Sequence, residues 1–336
     1  MALVAAAAGD MRLVRRTLSS GCDLNAVNSQ GDSALMVAAK KNHVEVMTLL
    51  LVSGVDVDLR RSDGTTALHL AIATAIATNA GVTPLLLAAE NGLSKVIKLL
   101  VKVAPQSVRT ASQDGSNVLT IAAQAGQVEA VRMFLDAGVP VDLSSGAGRT
   151  PLMFAATKNQ VEVMRLLLSN GALPNKTSKD GNTVLTIAAE GGHVEAVRFL
   201  LSHGARMDRS ECPEMTAVAA AAQNGHVEVI KLLLQNHADI NAHDDDWDSA
   251  LHEAVYGGQL EAARALVDAN PSANVNKRNR SGWTPLMAAT HRNFVDIIEL
   301  LIRKGAALNM KTNDGRTALH VAAEEGHTAA IRVAVP

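Results

Sequence analysis

Aromatic side chains are nearly missing from this 336-residue chain: two Trp, one Tyr and four Phe make up 2% of it. That scarcity excludes a core organised around large rings. The 48% apolar content must pack as Ala, Leu, Val and Ile, which suits thin, closely stacked helices. Cysteine is almost absent as well. Cys22 and Cys212 cannot make a disulfide framework, and they fit a reducing, intracellular compartment, cytoplasmic or nuclear. Neither sign of charge dominates, with 31 Lys and Arg against 33 Asp and Glu, a net −2. Nucleic-acid binding wants a strongly basic face, so none is expected. The apolar opening from Met1 to Gly9 lacks the basic region of a secretory signal. One uncharged run of 20 residues, Leu70 to Ala89, has a membrane span's length. Thr74, Thr78, Asn79, Gly81, Thr83 and Pro84 interrupt it, and no membrane span is expected. Neither GxGxxG nor a P-loop, a nucleophile elbow or a paired-cysteine metal motif occurs. No enzyme activity, cofactor or metal is expected.

What the chain does have is a repeat. Leu35 in Ser33-Ala34-Leu35-Met36-Val37-Ala38-Ala39 has equivalents at Leu68, Leu85, Leu119, Leu152, Leu185, Val218, Leu251, Leu286 and Leu319. The intervals are 33, 17, 34, 33, 33, 33, 33, 35 and 33 residues. Two residues before each marker stands Ser, Thr or Asn, from Ser33 to Thr317, whose side-chain oxygen can accept a free backbone N–H at a helix start. Pro84, Pro151 and Pro285 follow directly, at the first helical position, where a missing donor does no harm. Seven residues after the marker stands Gly or Asn, residues that enter positive φ cheaply, as at Gly126, Asn159 and Gly192. A second helix follows, with Val194, Val197, Leu200 and Leu201 on one apolar stripe. Gly54, Gly138, Gly171, Gly204 and Gly305 end such helices. A pair of helices this small cannot bury its own stripe, so repeats must stack on one another.

Thr317-Ala318-Leu319-His320-Val321-Ala322-Ala323, Gly225-His226-Val227-Glu228-Val229-Ile230-Lys231-Leu232-Leu233-Leu234 and Asp180-Gly181-Asn182-Thr183 resemble the ankyrin repeat. The resemblance runs through nearly the whole chain. It implies an all-α solenoid of about ten helix-turn-helix repeats with β-hairpin-like fingers, binding another protein on the concave face of fingers and first helices. The expected division is an N-terminal capping repeat at 1–28, a repeat at 29–61, a truncated half repeat at 62–79, seven repeats at 80–311, and a C-terminal partial repeat or cap at 312–336. The short interval between Leu68 and Leu85 leaves no room for a second helix. A helix near Ala67–Ala77 followed by a packing dislocation is expected there. His237 replaces the usual Gly after a second helix, at a cost of about 1 kcal/mol if it is left-handed.

Eleven histidines raise a metal or catalytic hypothesis, but most recur with the repeat. His43, His193, His226 and His327 open second helices, and His69, His252 and His320 follow the marker, as expected of residues that hydrogen-bond neighbouring repeats. His243-Asp244-Asp245-Asp246 with Asp248 could offer oxygen ligands, yet it lacks the Gly and terminal Glu of a calcium loop and reads as an acidic finger tip. In ankyrin-like arrays the variable partner-facing positions lie three before the marker and five and six after it. Most repeats here carry small or charged residues there, such as Asp32, Lys40 and Lys41. Met215, Tyr256, Trp283, His291 and Arg292 are the exceptions, with Trp247 in a finger beside them. Both Trp and the single Tyr fall within 37 residues, at places the core does not need. These residues, rimmed by Asp244, Asp245 and Asp246, are the expected partner site, in a protein that is itself monomeric. The alternative is the repeat arm of a larger enzyme or channel.

Overall fold

The computed structural model describes residues 1–41, 43–56, 59–61, 67, 83–103, 105–207, 215–269 and 273–334. Among them are twenty α-helices, one short 3-10 helix and no strand. Short helices alternate with longer ones at the spacing the repeat dictates. Within the unit Leu173–Pro336 the first helices are Val184–Glu190, Ala217–Gln223, Ala250–Tyr256, Pro285–His291 and Ala318–Glu324. Each packs against the next. The second helices Val194–Ser202, Val227–Gln235, Leu260–Ala269, Val295–Arg303 and Thr328–Ala334 form a parallel series of contacts. The unit Met1–Ala172 repeats the scheme, for example through Pro84–Glu90, Val118–Gln124 and Pro151–Thr157.

The helices begin where their caps lie. Thr150 Oγ1 accepts the Met153 N–H, Thr216 that of Ala219, and Thr284 that of Met287. Among the described residues the expected turn positions adopt positive φ, including the non-glycines Asn159 (54°) and Asn293 (56°). His237 is left-handed too, at φ 67°. Gly192 shows why glycine suits the turn: a Cβ there would lie 2.6 Å from the His226 ring.

The marker residues Leu85, Leu119, Leu152, Leu185 and Leu286 are at most 1% exposed, so they and the alanines beside them are the core. Successive repeats are also tied by side chains. Asn25, Asn175, Asn241 and Asn276 each accept a backbone N–H from the following repeat, at Asp56, Arg206, Asn274 and Ala307. His43, His226 and His327 reach the carbonyls of Ala7, Glu190 and His291 in the preceding repeat, which is the structural role expected of them. The fingers carry isolated antiparallel bridges, Val27 with Ser33, Ala111 with Asn117, Thr177 with Thr183 and His243 with Ser249.

The expected helix at 67–77 and its dislocation lie outside the described residues, Ala67 excepted. Among the described residues no helix is long and apolar enough to cross a membrane. The end of the uncharged run forms the seven-residue helix Pro84–Glu90.

Candidate partner-binding face

In the unit 173–336, two successive fingers, 243–249 and 279–283, lie against helix Ala250–Tyr256. The Arg280 N–H donates to the Asp246 carbonyl at 2.7 Å and joins the finger backbones. Inside the first finger the Trp247 N–H donates to Asp244 O, and the Asp244 N–H to Asp248 O. Trp247 occupies the left-handed finger position (φ 65°) that Gly31, Gly115, Gly148, Gly181, Gly282 and Gly315 fill elsewhere. A bulky side chain is unfavourable there, yet Trp247 is 53% exposed, with its ring centroid 5.9 Å from that of His243.

Beneath the finger lies a buried acidic network. The acidic tip divides: Asp245 and Asp246 are exposed, whereas Asp244 is half-buried and Asp248 is buried. Asp244 Oδ1 accepts the Asp248 N–H at 2.9 Å, turning its carboxylate inward. Asp248 Oδ1 accepts from the Tyr256 hydroxyl at 3.2 Å and from Asn279 Nδ2 at 3.0 Å. Glu253 is 5% exposed, and its Oε2 accepts from Gln223 Nε2 at 2.8 Å, across to the preceding first helix. Oxygens of Asp244, Asp248 and Glu253 all lie within 4.8 Å of one another. Asp244 Oδ1, Asp248 Oδ1 and Glu253 Oε2 are wired to amides and a phenol of the protein, and we assign no metal to the group.

Electrostatics follow from this burial. Burial raises the Asp248 carboxyl above its ordinary range against the pull of Asn279 and Tyr256. Burial likewise raises Asp244, opposed by the Asp248 N–H. Burial, then the charges of Asp248 and Asp244, push Glu253 up to about 7. Burial also raises the Tyr256 phenol, with the neighbouring Asp248 adding to the effect. His252 is fully buried; Nδ1 accepts the Ser249 N–H and Nε2 donates to the Trp283 carbonyl, both at 3.2 Å. Burial pushes it down to about 4, so it is neutral.

The residues expected at the site thus occupy three settings. Trp247 stands out from its finger, with Asp245 and Asp246 exposed beside it. Tyr256 is held in the acidic network with Asp244. Trp283 is half-buried between the edge of His291, at 5.5 Å, and the Arg316 guanidinium, 5.9 Å from the ring centre. His291 also pairs with Glu325 at 3.3 Å, so Trp283 is braced by its neighbours. Arg292 is exposed, and Met215 is half-buried just ahead of the Thr216 cap. Glu253 did not emerge from the variable positions. Its register does single it out: two residues after the marker the other repeats carry Val37, Leu87, Ile121, Phe154, Ile187, Ala220, Ala288 and Val321.

The unit 1–172 presents a different surface. A cleft of about 870 Å³ is lined by Leu86, Glu90, Ser116, Ile121 and Lys158 among others, without an aromatic ring. Further along, Asp32 is buried in an ion pair with Lys40 (2.6 Å) and lies 3.3 Å from Arg61, so two of its variable positions are spent internally.

Stacked helix pairs with projecting fingers define an all-α repeat protein whose distinctive chemistry lies on the finger face. The chain belongs to the ankyrin repeat family: the family model described as ankyrin repeats (3 copies) matches residues 2–80, 85–178, 119–211, 173–244, 209–279 and 251–335. Ankyrin repeat domains are generally protein-interaction modules. Among curated proteins the chain is similar to the BTB/POZ domain and ankyrin repeat-containing protein NPR3 of Oryza sativa subsp. japonica. The identity is 54% over 50 residues, 15% of this chain and 8% of that protein. It is 31% identical to NF-kappa-B inhibitor delta of Mus musculus over 146 residues, 41% of this chain and 43% of the relative. The chain therefore spans less than half the length of either. Among solved structures, the human ASB11 ankyrin repeat domain is 28% identical at TM-score 0.58, covering 65% of this chain and 98% of that one. The ankyrin repeat domain of Bcl-3 is 29% identical at TM-score 0.54, covering 66% and 99%.

Proposed function

We propose that this chain is a non-catalytic interaction module (a scaffold, adaptor or targeting subunit) that binds one protein partner on the finger face of residues 212–292. The division into repeats at 1–28, 29–61, 62–79, 80–311 and 312–336 belongs to the same reading, as does an intracellular setting and a monomeric state. The observation that carries it is Trp247. A large residue kept half in water on backbone that favours glycine costs the fold stability. Exposed aromatics beside charged groups are what binding hot spots are made of. Tyr256 and Trp283 supply further ring surface, and Asp245 and Asp246 set the electrostatic rim.

Affinity capture with mass spectrometry would identify the partner, and equilibrium titration of variants would locate the site. Tyr256→Ala and Trp283→Ala should each cost roughly 2 kcal/mol of affinity, about 30-fold, with helical content unchanged. Unchanged affinity in both would reject this face. A second reading is the repeat arm of a larger enzyme or channel; the rice relative's name joins ankyrin repeats to a BTB/POZ domain, which supports only the part of it that places the repeats in a larger protein.

A further inference from the structure

Glu253 occupies a register position where each repeat quoted above has an apolar side chain, and it is the buried glutamate of the described residues. A carboxyl facing an inter-helix contact carries a far larger desolvation penalty when ionised than when protonated. Its surroundings make the ionised form worse. Asp244 and Asp248 face it from finger 243–249, their oxygens within 4.8 Å. Helix Ala217–Gln223 offers it the neutral Gln223 amide, at 2.8 Å. On its own helix stand the neutral His252, fully buried, and the Tyr256 hydroxyl, which is already given to Asp248. From the next finger Asn279 contributes an amide to Asp248, and Trp283 a carbonyl to His252. The charge of Lys277 reaches His252 and Asp244, while its amine donates to the Asn241 carbonyl.

We propose that Glu253 is a proton-held latch: a proton on its carboxyl keeps finger 243–249 and helix Ala217–Gln223 locked onto helix Ala250–Tyr256, and loss of that proton loosens the junction. The protonated acid can accept from Gln223 without adding a third charge beside two carboxylates. The ionised acid sets a third negative charge in a buried space, and the movement that relieves it is displacement of the finger. The latch stands whether or not a partner binds this face.

Its effect on stability has a definite sign. Glu253 titrates near 7 in the fold against an ordinary 4.5, so the folded chain binds the extra proton, and stability falls as pH rises from about 4.5 through 7. His252 acts oppositely: with its folded value near 4 against 6.5, it costs stability as pH falls through that range. The two effects partly cancel in the wild type, so the test is a difference. Glu253→Gln imitates the protonated acid. Its thermal midpoint should match the wild type at pH 5 and exceed it at pH 8, with amide exchange in 217–223 and 250–256 slower than wild type only at the higher pH. Equal midpoints at pH 8 would overturn the latch. Should the variant fail to fold, carbon-detected NMR of the wild-type glutamate carboxyls decides. One carboxyl titrating near 7 supports the proposal, and ordinary titration of all of them rejects it.

Discussion

At residue scale the two informative positions are ones where a side chain breaks the rule of its register. Trp247 stands where six other fingers have glycine, at φ 65°. A non-glycine residue in that region costs about 1 kcal/mol. Trp247→Gly should therefore stabilise the protein by that amount in urea denaturation while weakening partner binding. A variant that lost stability would show that the ring braces the finger instead. Composition made this residue visible, because in a chain with 2% aromatics each exposed ring needs a reason. The burial of Asp248 was not visible: nothing in a run of aspartates tells which carboxylates turn back under the finger. Glu253 is legible from its register, but not from local clusters of like residues, because it is a lone carboxyl four residues beyond its finger.

At the scale of elements, sequence and structure agree closely, because each boundary is set by one or two local groups. From Ser33 on, Ser, Thr or Asn starts each described first helix, Gly or Asn turns the chain, and the apolar markers choose the buried side. Removing one cap should have a contained effect. Thr284 Oγ1 accepts the Met287 N–H at 3.3 Å, so Thr284→Ala should lower the unfolding free energy by about 1 kcal/mol without changing helical content at 20 °C. No measurable change in chemical denaturation would mean that the stack, rather than the cap, sets this helix end. The face that a helix pair presents to its neighbours follows from the same pattern, as the buried markers show. What periodicity does not encode is the packing where the period fails, and the 17-residue interval between Leu68 and Leu85 lies there.

At the scale of the whole molecule there is a division of labour. Regular positions build the stack, and the proposed partner site draws on residues that depart from their register, Trp247 and Glu253 among them. The net charge of −2 leaves the partner's recognition to local chemistry rather than to long-range attraction. Binding should therefore depend only weakly on salt, in contrast to the steep dependence of phosphate contacts. The most direct test is an amide-exchange footprint of the protein with and without its captured partner. Protection concentrated in the fingers 243–249 and 279–283 and in helices Ala250–Tyr256 and Pro285–His291 is the predicted result. Protection confined to the second helices Val227–Gln235 and Leu260–Ala269, or to the cleft beside Leu86 and Lys158, would contradict it.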